Sequence, residues 1–182
     1  RLPEIGGRAQ VFNVKGFKHD AGPTVITAPF MFDELFSLFG EEREKYLKFV
    51  PLDPWYRFYF HDKSSFDYRR TVKDTKREIK KFSKDDAEGY EKLLNISKNI
   101  FDIGFTQLSD KPFHSFWFMC KQIPALIKLK AHLTVSQLVG RYLKNAKIRS
   151  AFSIHPLLVG GNPFNTTSIY ALIHYLERNW GV

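Results

Sequence analysis

The clearest pattern in the chain is a helical repeat of apolar positions that begins after Ser83. Apolar or small residues recur three or four positions apart as far as position 108, which predicts a long helix with one buried stripe. Ser83 suits the N-cap, and Asp85 and Asp86 would lie in the first turn, where the helix dipole favours acids. The predicted stripe consists of Tyr90, Leu93, Leu94, Ser97, Phe101, Gly104, Phe105 and Leu108.

Residues 29–39 form another helical pattern, which is apolar on nearly every side. Pro29 suits the first turn of a helix, and Gly40 suits the position just after its end. A helix that is apolar all round is usually buried or pressed against an apolar surface. We therefore expect this helix to be covered, and we expect one or two charged helical turns over residues 41–49, which Pro51 ends.

The last third of the chain is also predicted to be helical. Residues 135–143 and 148–154 each have the apolar spacing of a short helix. The final helix should be capped by Asn165 or Thr166, which are favourable N-cap residues. Its predicted buried stripe is Ile169, Leu172, Ile173, Leu176 and Trp180.

Two stretches have the features of β-hairpins. Residues 55–60 and 66–68 are rich in aromatic side chains and are separated by polar turn residues, a pattern typical of paired strands. Because aromatics occupy both faces of the first strand, we expect burial on both of its sides. Residues 11–17 predict two more short strands, joined by a tight turn at Lys15 and Gly16.

Composition indicates a folded chain and excludes several kinds of site. The 182 residues are 43% hydrophobic, enough for one domain or for pieces of two. Cys120 is the only cysteine, so the chain can form no internal disulfide and no cysteine-rich metal site, which fits a reducing compartment. The six histidines lack metal-binding spacing, so no metal site is predicted. No apolar run is long enough to span a bilayer.

The net charge of +9 calls for an anionic partner, such as nucleic acid, anionic lipid or a phosphate-bearing ligand. Residues 69–84 are the densest basic stretch, but Asp74 and Glu78 interrupt it, and an ordinary solvated helix face explains it. A nucleic-acid-binding module would need aromatic residues interleaved with the basic ones on an exposed face. No recognisable nucleic-acid-binding signature is present, and we predict no nucleic-acid partner.

Residues 112–133 combine a strongly apolar surface with basic residues and no acid. Lysine stems can extend from such a surface toward lipid headgroups, so the pattern suits a helix lying in an anionic membrane interface. A pair of buried helices broken at Pro124 explains the same pattern equally well. The candidate membrane contacts are Trp117, Lys121, Lys128 and Lys130.

Glycine-rich turns on both sides of the first hairpin form the candidate ligand site. Gly6 and Gly7 remove side-chain bulk, so that backbone N–H groups can approach a phosphate or a ring, and Arg8 adds a cation. The hairpin would bring these residues near Gly22, which begins a Gly-Pro-Thr turn. A nucleotide-type ligand and a purely structural pair of turns both fit this arrangement.

Longer motifs resemble a known family. The segments GGRA and GF-x-x-DAGPTVIT, followed by H-x-LLVGGNPF and T-S-IY-x-LIH-x-LER-x-WGV, cover residues 6–9, 16–27, 155–164 and 167–182. Together they are similar to the bacterial-type phytoene desaturases of carotenoid biosynthesis, and the intervening YRFYF, DAEGY and PFHSF segments follow the family's order. The resemblance therefore extends over essentially the whole chain.

The resemblance implies an FAD-dependent oxidoreductase of the amine-oxidase-like superfamily, cytoplasmic and peripherally bound to a membrane. Such an enzyme transfers hydride from a phytoene-like polyisoprenoid to the flavin, and passes electrons to a quinone or oxygen. The implied α+β fold has a partial Rossmann-like FAD-binding domain over residues 1–54 and a mostly helical substrate- and membrane-binding region over 55–182. The implied FAD contacts are Gly6, Gly7, Arg8, Ala9, Gly22, Pro23 and Thr24; the implied tunnel residues are His155, Leu157, Leu158, Gly160, Gly161 and Asn162.

Desaturation needs no strong catalytic base, because the flavin takes the hydride and a weak base can take the proton. His155 is the candidate catalytic residue, with simple packing as the alternative. Many bacterial members of the family have an acid where this chain has Phe118. If that acid assists proton transfer in those proteins, this chain lacks the group that would do so.

The start at Arg1 and the missing G-x-G-x-x-G loop suggest an internal fragment that is inactive alone. A thirty-carbon diapophytoene desaturase, or another carotenoid oxidoreductase of the same family, would use the same motifs, so the chain length of the substrate and the number of steps stay open. A non-catalytic membrane-surface protein is a more distant alternative.

Overall fold

The computed structural model describes residues 7, 10–20, 22, 26–105, 123–124, 126–127 and 129–181. Over these residues helices predominate, and the strands form two separate two-stranded hairpins. This arrangement confirms the predicted α+β class. None of the helices in this part of the chain combines the length and the apolar character that a membrane span requires.

The first hairpin lies where the sequence pattern predicted it. Strand β1 (Val11–Val14) pairs antiparallel with β2 (Phe17–Asp20). Lys15 and Gly16 in the turn both have positive φ, 51° and 84°, as expected for a tight turn whose twist matches the strands. Every residue of both strands is exposed, so this hairpin contributes nothing to the described core.

Helix α1 (Phe30–Ser37) forms as predicted, but the described residues cover it only in part. None of its residues is buried, and Met31 and Leu35 are 51% and 53% exposed. On its other side α1 is half-buried, where the rings of Phe30, Phe32 and Phe36 pack against Trp180, Phe49 and Tyr46 respectively. The charged turns expected after it reduce to a single 3₁₀ turn, Arg43–Lys45.

The second hairpin forms one wall of the hydrophobic core. Strand β3 (Tyr56–Tyr59) pairs antiparallel with β4 (Ser65–Tyr68). Phe66 and Tyr68 are buried at 0% and 3% exposure, whereas Tyr59 is 77% exposed. The prediction that β3 is buried on both sides is therefore wrong, because only one face of this small sheet is covered.

Helices α2 (Val72–Lys80) and α3 (Lys84–Ile100) pack against that hairpin and against each other. The side chain of Ser83 accepts a hydrogen bond from the backbone N–H of Asp86, which confirms the predicted N-cap. Tyr90, Leu93 and Ser97 are fully buried, so the predicted stripe is confirmed up to the π-helical turn that follows at Phe101–Phe105. The basic residues of α2 lie mainly on its solvent side, while Thr75 and Ile79 are buried.

Helices α4 (Val135–Tyr142) and α5 (Ala146–Ala151) complete the packing around α3. The backbones of α3 and α4 approach so closely at Gly89 that a Cβ there would lie 2.0 Å from the Tyr142 carbonyl oxygen. The buried Asp86 carboxylate accepts hydrogen bonds of 2.8 Å from the backbone N–H groups of Lys144 and Asn145. The start of α3 is thereby joined to the link between α4 and α5.

The final helix, α6 (Leu172–Trp180), differs from its prediction in cap and in register. Its 3₁₀ lead-in, Ser168–Ala171, is capped by Thr167, so the assignment of the cap to Asn165 or Thr166 is wrong. Of the predicted stripe only Leu176 is buried, because the face turned inward also carries His174 and Glu177. Two ionisable side chains therefore lie inside the packed structure.

Candidate functional site

Residues 155–161 form a turn that ends with Gly160 and Gly161 and begins with a five-residue 3₁₀ helix, His155–Val159, in which Pro156 favours the first turn. The helix ends at Gly160, whose φ of 73° is left-handed and is easily adopted only by glycine. The Gly161 N–H then donates to the Pro156 carbonyl at 2.8 Å. A Cβ at Gly161 would lie 2.7 Å from Thr166 Oγ1, so both glycines are needed for this compact turn.

This turn displays apolar side chains to the outside. Leu157, Leu158 and Val159 are 62%, 51% and 57% exposed, and Phe164 is 74% exposed. An open cavity of about 230 Å³ lies beside them. Its lining residues are Ser136, Arg149, Ser150, Ser153, Ile154, Leu157, Pro163 and Phe164. The turn therefore offers an exposed apolar surface, beside a cavity whose lining is partly polar.

Directly behind this surface, a buried carboxylate connects three elements of the fold. Glu177 on α6 is 1% exposed, and its Oε2 lies 2.8 Å from Nε2 of His155. Its Oε1 accepts a hydrogen bond of 2.8 Å from the Tyr56 hydroxyl on β3. Burial and the neighbouring carboxylate raise the pKa of Tyr56, so that the phenol stays protonated and donates.

His174 lies beside His155 in the same buried region. The two rings meet edge to face with centroids 4.0 Å apart. His174 Nε2 donates to the Phe152 carbonyl at 3.0 Å, because a carbonyl can only accept. Burial, with the proximity of His155, holds the pKa of His174 well below its usual value of 6.5, so this ring is neutral at physiological pH.

Arg178, the next residue along α6, provides a half-buried positive charge. Its guanidinium donates to the Arg69 carbonyl at 2.7 Å and to the Tyr90 hydroxyl at 2.5 Å. The same group lies 4.6 Å from the centroid of the Trp55 ring, within cation–π range. Glu177 and Arg178 thus join α6 to β3, to the start of α2, to α3 and to the 155–161 turn.

The structure brings together only some of the predicted site residues. Among the predicted FAD contacts it describes Gly7, exposed with a φ of 56°, and Gly22, which is half-buried. Among the predicted membrane contacts it describes Lys130, whose ammonium donates to the Tyr142 hydroxyl at 3.2 Å. The remaining predicted contacts lie outside the described residues: Gly6, Arg8, Ala9, Pro23, Thr24, Trp117, Lys121 and Lys128.

The predicted tunnel residues do form one compact group, whereas the residues that support them were missed. Leu157, Leu158, Gly160 and Gly161 belong to the turn described above, and the Asn162 side chain accepts from the Phe164 N–H at 2.9 Å. Tyr56, Glu177 and Arg178 were not singled out. His174 and Glu177 are three positions apart within an apolar helical pattern, and that spacing was the available signal for an inward-facing polar pair.

No family model matches the chain, but curated proteins do. The chain is 45% identical to the lycopene-forming phytoene desaturase of Pseudescherichia vulneris, over 97% of this chain and 36% of that protein. It is 44% identical to the enzyme of the same name from Pantoea ananas, with the same coverage of each. It is 33% identical to the neurosporene-forming phytoene desaturase of Cereibacter sphaeroides, over 100% of this chain and 35% of that protein. The chain thus spans about a third of the length of these relatives.

Proposed function

Because the chain belongs to the bacterial-type phytoene desaturase family, we propose that the protein containing it is an FAD-dependent carotenoid desaturase. The observation that carries this proposal is the match itself, which extends over 97% of the chain at 45% identity. The substrate class is a phytoene-like polyisoprenoid. Two hydrogens are removed from neighbouring carbons in each step, one as hydride and one as a proton, and a C=C bond forms.

The turn at residues 155–161 and its surroundings support a hydrocarbon substrate. The exposed side chains of Leu157, Leu158, Val159 and Phe164 are all apolar, and none of them could recognise a polar group. A polyisoprenoid has no charge to bind, so shape and burial of apolar area must provide its affinity. We assign these residues, with Gly160, Gly161 and Asn162, to the wall of the substrate tunnel.

The described part of the first glycine loop fits a large flat cofactor. Gly7 is exposed and has a positive φ, and a Cβ there would meet no atom of the described residues within 4 Å, so among these residues its backbone is open to close approach. When bound, FAD supplies the two-electron acceptor for the hydride. We assign the cofactor to a region spanning residues 1–54. The residues proposed to hold it are Gly6, Gly7, Arg8, Ala9, Gly22, Pro23 and Thr24. Residues 55–182 bind substrate and membrane.

The role of His155 within this proposal is limited by its burial. It is 1% exposed, and its Nε2 is bonded to Glu177, so it does not face the solvent side of the turn. Its proposed contribution is to fix the apolar turn; proton acceptance would require the ring to become accessible. A weak base or water can accept the proton, and the electrons pass to a quinone or oxygen.

The activity is tested by expressing the full-length protein in a bacterium that accumulates phytoene and analysing the pigments. Coloured carotenes with more conjugated double bonds are expected, together with a flavin spectrum in the purified protein. Unaltered phytoene from a folded, FAD-loaded protein would contradict the proposal. Turnover of a thirty-carbon diapophytoene in its place would identify a sister activity in the same family.

Flavin contact by Arg8 is tested separately with Arg8→Ala in the full-length protein. Loss of a charge-assisted contact to the pyrophosphate costs about 1.5–3 kcal/mol, equivalent to roughly a 10- to 150-fold weaker affinity for FAD. Lys18→Ala is the matched control, because it removes the same charge from the exposed strand β2. Equal FAD retention in the two variants would rule out the assigned contact.

We also propose that the protein is cytoplasmic and binds an anionic membrane surface through residues 112–133. Lys121→Glu with Lys128→Glu should weaken sedimentation with anionic vesicles, since each basic residue near the surface adds about 1 kcal/mol. Lys130 is left unchanged because its ammonium already binds Tyr142. The control reverses the exposed charges of Lys73 and Lys80 on α2. Unchanged binding of the first variant, or equal loss in both, would contradict the assignment.

A further inference from the structure

The carboxylate of Glu177 is shared between two arms that lead to different parts of the fold. Oε2 binds His155, the first residue of the 3₁₀ helix, and Oε1 binds Tyr56 on β3, both at 2.8 Å. An ionised carboxylate is an acceptor only, so His155 donates through Nε2–H. The bond is buried on both sides, with each residue 1% exposed, and a charge-assisted hydrogen bond in such surroundings is strong.

The bond to Glu177 is made by the first residue of the 3₁₀ helix that carries the exposed apolar side chains. Leu157, Leu158 and Val159 follow His155 within about one and a half turns of 3₁₀ helix, at three residues per turn. The other end of the segment is held by the hydrogen bond from the Gly161 N–H to the Pro156 carbonyl. The apolar surface is therefore held at both ends, by Glu177 at its start and by backbone geometry at its finish.

A polyisoprenoid has no polar group that could fix its position along a protein surface. Its register must come from the shape and position of the apolar wall alone. Repeated desaturation requires different carbons of the same molecule to reach the cofactor in turn. A displacement of about 1 Å can change the rate of a positioned reaction by about 100-fold, so a small movement of this wall would alter which bonds are desaturated.

We propose that Glu177 is a positioning residue that, through His155, sets the location of the Leu157–Leu158–Val159 surface and thereby the number of desaturation steps. This inference rests on the proposed desaturase function. Glu177 itself does not touch the substrate. It acts by holding the backbone from which the substrate-facing side chains extend.

The test compares variants of the full-length, FAD-loaded protein by the ratio of fully to partly desaturated product. Glu177→Ala removes both arms and should change the ratio by about tenfold or more. Glu177→Gln can still accept from one partner and interact through its N–H₂ with the other, so it should stay within about twofold of the parent. Tyr56→Phe is the matched control, because it removes a bond of equal length to the same carboxylate on the side away from the turn.

The comparison separates positioning from general loss of stability. A changed ratio in Glu177→Ala, with Glu177→Gln and Tyr56→Phe near the parent, supports the proposal. An unchanged ratio in Glu177→Ala, or an equal change in Tyr56→Phe, overturns it. If Glu177→Ala does not fold, His155→Phe breaks the same bond from the turn side. A changed product ratio in His155→Phe then supports the proposal, and an unchanged ratio, or an equal change in Tyr56→Phe, overturns it.

Amide hydrogen exchange tests the positioning of the turn by Glu177 without relying on desaturase activity. The N–H groups of Leu157, Gly160 and Gly161 are hydrogen-bonded within the turn, so their exchange reports its opening. They should exchange at least about tenfold faster in Glu177→Ala than in the parent or in Tyr56→Phe, given the strength of a bond to a charged group. If the parent converts neither phytoene nor diapophytoene, the proposed function fails. Faster exchange would then still support the positioning of the turn by Glu177, and unchanged exchange would overturn it.

Discussion

The close approach of α3 to α4 leads to a sharp prediction for Gly89→Ala. Alanine normally stabilises a helix interior relative to glycine by about 0.5–1 kcal/mol. At position 89, however, the new Cβ would lie 2.0 Å from the Tyr142 carbonyl oxygen and 3.0 Å from its carbon. Both atoms belong to the backbone, so no side-chain rotation can relieve the contact. We therefore expect destabilisation where helix propensity alone predicts a gain.

The size of the effect follows from the movement required. Ordinary van der Waals contact begins near 3.4 Å, so the two helices would have to separate by roughly 1.4 Å at this point, in an interior packed to crystal density. Overpacking of this kind costs about 1–3 kcal/mol and occasionally more. With Leu143 and Ile148 fully buried nearby, we expect the free energy of unfolding to fall by about 3 kcal/mol. For a unit of this size that lowers the Tm by roughly 6–12 °C.

The assay is thermal unfolding followed by circular dichroism, with Gly104→Ala as the matched control. Among the described residues, a Cβ at Gly104 would meet only Ile169 Cγ2, at 3.9 Å, which is an ordinary contact. The control should therefore change stability by less than about 1 kcal/mol. If Gly89→Ala is as stable as the parent, or no less stable than Gly104→Ala, the argument from close approach is wrong.

Three further predictions concern the buried polar groups. Burial lowers the pKa of His174 in the folded protein. The contribution of the neutral His174 ring to the free energy of unfolding is therefore complete above pH 6.5. It is lost as the pH falls, because only the unfolded chain then gains the proton. In urea titrations, unfolding free energy should fall between pH 6 and 5 by about 1.4 kcal/mol more in the parent than in His174→Gln; equal slopes would contradict this. Asp86→Ala leaves the N–H groups of Lys144 and Asn145 without their acceptor and should cost about 2–4 kcal/mol, against less than about 0.5 kcal/mol for exposed Asp85→Ala; similar urea midpoints would exclude it. Arg178→Lys cannot reproduce the branched contacts to Arg69 and Tyr90 and should lower stability by at least about 2 kcal/mol, measured against exposed Arg141→Lys; matching thermal midpoints would count against it.

Local features were predicted well because they depend on neighbouring residues. Ser83 caps α3 as expected, since its side chain needs only the N–H three residues further on. The hairpin turn lies at Lys15 and Gly16 as expected, because Gly16 readily adopts the positive φ of such a turn. The cap of the last helix was missed by one or two residues, because several adjacent polar residues are equally suitable.

Burial was predicted less well, because it depends on what packs against each element. The apolar pattern of α1 gave no information about whether other residues cover it, and its described surface is largely exposed. In α6 the apolar residues identified the helix correctly, but the inward face also carries His174 and Glu177. A buried charge is tolerated only where partners compensate it, and the helical pattern contains no information about those partners.

The sequence by itself determined the family resemblance, the helices and turns, and the glycine-rich segments, because these depend on residues close together in the chain. Only the tertiary structure decided which polar groups are joined. Glu177 is 22 positions from His155 and 121 positions from Tyr56, and no local pattern records such distances. Their contact exists because β3, the 155–161 turn and α6 pack around one core, where a carboxylate removed from water must find donors among whatever side chains the fold brings to it.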